Sequence, residues 1–84
     1  MKRIAIVGAV LENPGVCQHR FNDTVAEFRN IIKGRMGTPF DNEDITVVAI
    51  TVIGELDEIN ALTGRLGSLP NVTVKTAISS TDLG

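Results

Sequence analysis

The spacing of apolar residues along the chain predicts four strands and two helices. Continuous apolar, β-branched runs at residues 3–11 and Ile45–Ile53 predict two strands that are buried on both faces. Shorter runs at residues 31–36 and 72–78 predict two more strands. Between these runs the apolar residues recur every three or four positions, which predicts two helices. The inward faces of these helices are predicted to be Cys17, Phe21, Val25, Phe28 and Ile32, and then Leu56, Ile59, Leu62 and Leu66.

Turn and capping residues set the predicted boundaries. Asn13 is a good N-cap, and Pro14 suits the first helical position because its missing N–H needs no partner there. The first helix is expected to stop near Asn30. Gly67 suits the position that follows the last turn of the second helix. The acidic stretch 37–44 is expected to connect two strands as a hairpin with a mobile tip.

The element order is β-α-β-β-α-β, a split βαβ pattern that predicts an α+β, ferredoxin-like fold. We number the four predicted strands β1 (3–11), β2 (31–36), β3 (45–53) and β4 (72–78). Right-handed crossovers place these antiparallel strands in the order β4-β1-β3-β2, with both helices on one face of the sheet. Lys33 and Arg35 mark the second strand as an edge, and Thr73 and Lys75 mark the fourth. We expect one domain over residues 1–78 and a flexible tail over 79–84.

Two helices can cover only one face of this sheet, yet the central strands are apolar on both faces. Ile4 and Ile6 lie on one face of the first strand, and Ala5 and Val7 lie on the other. The uncovered face predicts a partner, and the simplest partner is a second copy of the chain in a homodimer or homotetramer. The alternative is that the alanine and threonine residues on this face make it tolerant of water.

Composition excludes several classes of function. The chain has 84 residues, one cysteine and a formal net charge of −2. A single cysteine cannot form an internal disulfide, and no apolar run is long enough to span a membrane, so a cytoplasmic protein is expected. Direct nucleic-acid binding is not expected, because the chain is acidic and its three phenylalanines do not lie among clustered cations.

Two short strings carry the candidate chemistry. Residues 13–16 (Asn-Pro-Gly-Val) combine a tight turn with a helix start just beyond a strand end, and Arg35 lies between glycines in the string 34–37. Backbone N–H groups at such a helix start can bind a carboxylate, and a guanidinium suits the same group. The candidate effector-binding residues are therefore Asn13, Gly15, Val16 and Arg35. A helix cap and a solvated edge-strand arginine explain the same residues without a ligand.

The sequence contains no pattern typical of a metal site or of a catalytic site. Cys17 and His19 are two residues apart on a helix, so they point in different directions and cannot share one ion within a subunit. The acidic run at Asp41, Glu43 and Asp44 lacks the spacing of an EF-hand loop and is typical of a solvated tip. With one histidine, one cysteine and no phosphate-binding loop, we expect no cofactor and no enzymatic activity.

The layout resembles the ACT and ACT-like regulatory domains, and the string 12–16 is similar to their loop between first strand and first helix. Residues 34–40, 57–67 and 69–75 resemble a narrower group, small single-domain proteins named as regulators of iron-only hydrogenase systems. Their fold is similar to the ligand-binding half of nickel-responsive repressors. This resemblance covers most of the chain.

The resemblance implies regulation by assembly, with an effector such as an amino acid bound between subunits against residues 13–15. The function we predict is a cytoplasmic regulatory protein that oligomerises through its sheet and senses a small molecule. The alternative is a pure protein–protein assembly module without a ligand. A small enzyme of ferredoxin-like fold is a third reading, because that fold hosts many chemistries.

Overall fold

The computed structural model describes all residues, Met1–Gly84. It contains four strands, two helices and one short 3₁₀ turn. The strands are β1 (Lys2–Glu12), β2 (Ile32–Phe40), β3 (Ile45–Glu55) and β4 (Val72–Ile78), the helices are α1 (Pro14–Glu27) and α2 (Leu56–Gly67), and the 3₁₀ turn is Asp41–Glu43. Neither helix has the length and apolar character needed to cross a membrane.

The four strands form one antiparallel sheet in the order β2-β3-β1-β4. Read from the opposite edge of the sheet, this is the series β4-β1-β3-β2, so the neighbours of each strand are those predicted from the sequence. The longest strands, β1 and β3, pair over eleven residues in the centre of the sheet. The architecture is therefore α+β, with two helices and a four-stranded antiparallel sheet.

The hydrophobic core lies between the sheet and the two helices. On the sheet, the buried side chains alternate with exposed ones, and Val7 of β1 pairs with Ile50 of β3 at the centre of the buried face. Phe21 of α1 and Leu62 of α2 are fully buried against this face. The same alternation leaves the opposite face of the sheet without any covering element.

Two boundaries differ from the sequence prediction. Helix α1 ends at Glu27 rather than near Asn30. Ile32, which fits both the helical spacing and the predicted strand at 31–36, begins β2. Strand β2 continues to Phe40, four residues beyond the predicted end, because residues 34–40 pair with β3 throughout. A proline is tolerated within this strand because β2 is an edge, where N–H groups that face away from the sheet need no ladder partner.

Gly54 allows the segment after α1 to pack closely on the end of β3. A Cβ atom at this position would lie 2.8 Å from Cγ2 of Ile31, which is closer than such atoms approach. The backbone of Ile31 is fixed at the same place, because its carbonyl accepts a hydrogen bond of 2.9 Å from the N–H of Ile53. Gly54 lies inside β3, whereas the sequence analysis placed it after the strand.

The chain after β4 runs back along β1. The N–H of Ser79 donates to the carbonyl of Ile4, and the N–H of Leu83 donates to the carbonyl of Lys2, both at 2.9 Å. The guanidinium of Arg3 also donates to the carbonyl of Ser79, at 3.0 Å. The division into a domain at 1–78 and a flexible tail at 79–84 stays a prediction.

Candidate functional site

A cleft of about 350 Å³ lies between the first turns of α1 and the edge strand β2. Five elements form it: the end of β1, the start of α1, strand β2, the 3₁₀ turn and the start of β3. Its lining consists of Leu11, Pro14, Gln18, Arg35, Gly37, Pro39, Asp41, Thr46 and Val48. This volume is enough for a small organic molecule.

Arg35 is the cationic group of the cleft, and its direction follows from strand register. Arg35 pairs with Ile50, which is buried under the helices, so the arginine lies on the helix side of β2. Its guanidinium donates a hydrogen bond of 2.6 Å to Oδ1 of Asn22 and lies 5.6 Å from the centre of the Phe21 ring. These two contacts hold the side chain at the cleft and leave other N–H donors free for a ligand.

The remaining polar groups of the cleft are Asp41, Gln18 and Thr46. Thr46 lies on the buried side of β3, because it pairs with Leu11 of β1 and Pro39 of β2. The cleft thus combines one guanidinium, one carboxylate, an amide and a hydroxyl. Together with its apolar side chains, this set can recognise a small molecule that carries both a carboxylate and a cationic group.

Of the predicted site residues, Arg35 lines the cleft and the other three do not. Asn13 occupies the N-cap position of α1, but its backbone is left-handed (φ 54°) and its side chain forms no cap hydrogen bond. Its N–H donates to the carbonyl of Asp44 at 2.8 Å, which ties the start of α1 to the turn after β2. Gly15 and Val16 are exposed, and they adjoin the cleft only through their neighbour Pro14.

Three further residues of the cleft were not predicted as site residues: Gln18, Asp41 and Thr46. For Thr46 a signal exists, because alternation along β3 places it on the same side as the buried Val48. No sequence pattern predicts Asp41 as a site residue, because its carboxylate reaches the cleft only through the position of the 3₁₀ turn.

Cys17 and His19 lie apart, as their spacing predicts. Cys17 is buried in the core, and burial raises the pKa of its thiol above the usual value. His19 is exposed, and its Nε2 atom lies 3.3 Å from Oδ2 of Asp23. No group of three or more His, Cys, Asp or Glu side chains is arranged to hold a metal ion.

One ion pair connects the two helices, between Glu27 at the end of α1 and Arg65 of α2. The guanidinium of Arg65 donates to both carboxylate oxygens of Glu27, at 2.8 and 2.9 Å, and it lies 5.6 Å from the centre of the Phe28 ring. The hydrogen bonds from Arg65 hold the pKa of the Glu27 carboxyl below its usual value. Because both side chains are about half exposed, the pair contributes little to the stability at neutral pH.

The uncovered face of the sheet, which we call the open face, is the second candidate site. It comprises the side chains of β1, β2, β3 and β4 that alternate with the buried ones. Its exposed apolar residues are Ile4, Ile6, Met36, Phe40 and Val47, of which Met36 is the most exposed at 69%. Several large apolar side chains exposed on one face of a small domain are typical of an interaction site.

Comparison with known proteins identifies the family. The model of the TM1266-like family, described as "Iron-only hydrogenase system regulator, putative", matches residues 3–76. The chain belongs to the TM1266-like family. It is similar to the protein TM1266 of Thermotoga maritima, with 29% identity and a TM-score of 0.89 over 93% of this chain and 98% of that chain. No curated protein is significantly similar to the chain.

More distant structures share the fold alone. The C-terminal domain of the MgtC protein of Mycobacterium tuberculosis has 13% identity and a TM-score of 0.67, over 98% of this chain and 94% of that domain. CPII of Thiomonas intermedia K12, a nitrogen regulatory PII-like protein, has 13% identity and a TM-score of 0.56, over 94% of this chain and 92% of that chain. At these identities only the chain path is comparable.

Proposed function

We propose that the chain is a non-catalytic regulatory protein of the cytoplasm. In this proposal it binds a small carboxylate-bearing effector in the cleft beside Arg35 and associates with further copies of itself through the open face. The description of its family supports a regulatory function connected with an iron-only hydrogenase system. The effector class that fits the cleft best is an α-amino acid.

The observation that carries this proposal is the placement of Arg35. An edge-strand arginine that served only to keep the protein soluble would extend into water. This guanidinium is also exposed, but its contacts with Asn22 and Phe21 hold it at the wall of a cleft whose other side chains include a carboxylate, Asp41. A fixed guanidinium can form two parallel hydrogen bonds with a carboxylate, and Asp41 can attract an ammonium group.

The open face supports the assembly part of the proposal. It exposes five large apolar side chains on one side of an 84-residue chain. Small domains bury a limited fraction of their surface, so covering this face would add substantially to their stability. The regulatory description of the family supports binding rather than catalysis.

Thermal unfolding with a ligand panel tests the proposal. The chain has no Trp or Tyr, so unfolding is followed by circular dichroism at one protein concentration. The panel contains the amino acids, together with amines and carboxylates that lack one of the two charges. At a hundred times its Kd, a ligand stabilises the native state by about 2.7 kcal/mol. For a domain of this size that raises the Tm by about 10–20 °C.

Matched variants locate the site. We expect Arg35→Gln to abolish the shift, whereas Lys33→Gln keeps it, because Lys33 is a cation of the same strand that does not line the cleft. An identical shift in Arg35→Gln and in the wild type would contradict the assignment of the cleft.

The open face also favours the second candidate, an assembly module without a ligand. That function predicts a stable oligomer whose Tm responds to no compound of the panel. The first candidate predicts an oligomer whose Tm does respond, so the same measurement distinguishes the two.

A further inference from the structure

The strand register of the open face defines which residues would meet a second copy. Three rows cross the face, and each contains one residue from every strand. From β4 to β2 the rows read Ala77-Ile6-Thr51-Gly34, then Lys75-Gly8-Ala49-Met36, then Thr73-Val10-Val47-Thr38. The middle of the face forms a shallow depression, because Gly8 and Ala49 have no large side chains. The only charged side chain in these rows is Lys75, at one edge of the sheet.

We propose that a second copy of the chain packs on the open face about a two-fold axis that runs parallel to the strands, between β1 and β3. This inference rests on the proposed self-association and specifies its geometry. The axis places β4 of each copy over β2 of the other, so that Lys75 lies over Met36 of the second copy. Each copy contributes the same patch, as a two-fold interface requires.

The apolar residues are complementary in this arrangement. Within a row, each position of β1 lies over the position of β3 in the second copy. Val10 therefore meets Val47 of the second copy. Ile4 meets Ile53 in the same way, because these two residues pair within one sheet just beyond the row of Ile6. Gly8 meets Ala49 at the centre, where the lack of large side chains lets the two sheets approach to the usual distance of about 10 Å.

The position of Lys75 argues against the two other arrangements that are centred on the middle row. An axis along the rows would stack β4 on β4 and place the two Lys75 side chains against each other, and like charges facing each other across an interface oppose association. An orthogonal arrangement would cover Lys75 with the central apolar rows and bury its ammonium without a partner. With the axis parallel to the strands, the alkyl chain lies on Met36 and the ammonium reaches water beyond the edge of the sheet.

The size of the face agrees with a dimer interface. The sheet is four strands wide at about 4.8 Å per strand and about nine residues long at about 3.4 Å per residue, so its flat area is about 600 Å². The side chains that project from it add to this area. A standard interface buries about 800 Å² on each partner. One copy of this sheet therefore has about the area that a second copy needs.

Cross-linking at the edge strands tests the geometry. Met36→Cys, Lys75→Cys and the variant carrying both substitutions are treated with a short bismaleimide, quenched with excess thiol and separated on a denaturing gel. Both positions lie on edge strands and are accessible to the reagent, whereas the native Cys17 is buried and the wild type serves as the blank. We expect covalent dimers only in the variant with both cysteines.

Exchanging the two side chains provides a second test without cross-linking. Met36→Lys places a lysine over Lys75 of the second copy, so we expect the dimer Kd to rise about tenfold or more. Adding Lys75→Met restores the original pair in the reverse order and should restore the Kd. Asn60→Lys adds the same charge on the exposed face of α2 and should leave the Kd unchanged.

Sedimentation velocity of the wild type tests self-association independently of the position of the two-fold axis. A monomer at every concentration would refute both the self-association and its geometry. A dimer in which Lys75→Cys alone cross-links, or in which Met36→Lys has no effect, would overturn the axis while leaving the self-association standing. A dimer that cross-links only through the pair of cysteines supports the proposed arrangement.

Discussion

Replacing Gly54 with alanine should destabilise the protein through a single contact. The new Cβ atom would lie 2.8 Å from Cγ2 and 3.2 Å from Cβ of Ile31. Ile31 cannot move aside easily, because its side chain is buried and its carbonyl is bonded to the N–H of Ile53. The strain must therefore be absorbed by the end of β3 or by the segment that follows α1.

The expected magnitude combines two opposing terms. Forcing one extra carbon into a packed core costs about 1–3 kcal/mol. Removing a glycine restricts the unfolded chain and stabilises the protein by about 0.4–1 kcal/mol. The net loss for Gly54→Ala is then about 0–2.6 kcal/mol in the free energy of unfolding, with a midpoint of about 1.3 kcal/mol.

A double-mutant cycle with Ile31→Ala isolates the contact. Ile31→Ala alone should cost about 2–5 kcal/mol, since it removes buried carbon atoms. It also removes Cγ2 but leaves the Cβ atom at 3.2 Å, so adding Gly54→Ala in this background should cost clearly less than in the wild type. The two substitutions are expected to couple by about 1–3 kcal/mol, in the direction that relieves the clash.

Urea unfolding followed by circular dichroism, at one fixed protein concentration, measures the cycle. Gly64→Ala is the matched control, because a Cβ atom there meets no neighbour within 4 Å. This control should stabilise α2 by up to about 1 kcal/mol. An equal cost of Gly54→Ala in both Ile31 backgrounds would refute the reasoning.

Two further predictions follow from the shifted pKa values. The lowered pKa of Glu27 means that its pairing with Arg65 stabilises the protein above the usual carboxyl pKa and is lost as pH falls through the lowered value. Between about pH 5 and pH 3, stability should therefore fall less steeply in Glu27→Gln than in the wild type. Arg65→Gln removes the partner and should reduce the slope in the same way; equal slopes in all three proteins would contradict this. Burial of Cys17 should make its alkylation by N-ethylmaleimide at neutral pH far slower in the native protein than in urea, and equal rates would show that the thiol is accessible.

Local pattern was sufficient for the elements and for the two faces of the sheet. The apolar runs of β1 and β3 predict central strands, and the alternation within them predicts which side chains the helices cover. The glycine and proline signals placed the start of α1 and the end of α2 within one residue. These features depend on neighbouring residues along the chain, which a sequence shows directly.

Pairing between distant segments decided the length of β2 and the direction of the Arg35 side chain. Residues 37–40 resemble a loop by composition, yet they form a strand because β3 offers a ladder for them to pair with. The direction of Arg35 depends on the same pairing, since the irregularity between Ile32 and Gly34 sets which residues of β2 lie on the helix side. A one-residue change of register would send the guanidinium to the open face.

The strands, the helices and an apolar face that no element of the chain covers could all be predicted from the order of the residues. The cleft could not, because Arg35, Gln18, Asp41 and Thr46 come from four different elements that meet only in the folded chain. Periodicity reports on local geometry, whereas a site depends on how strands pair and helices pack across the chain.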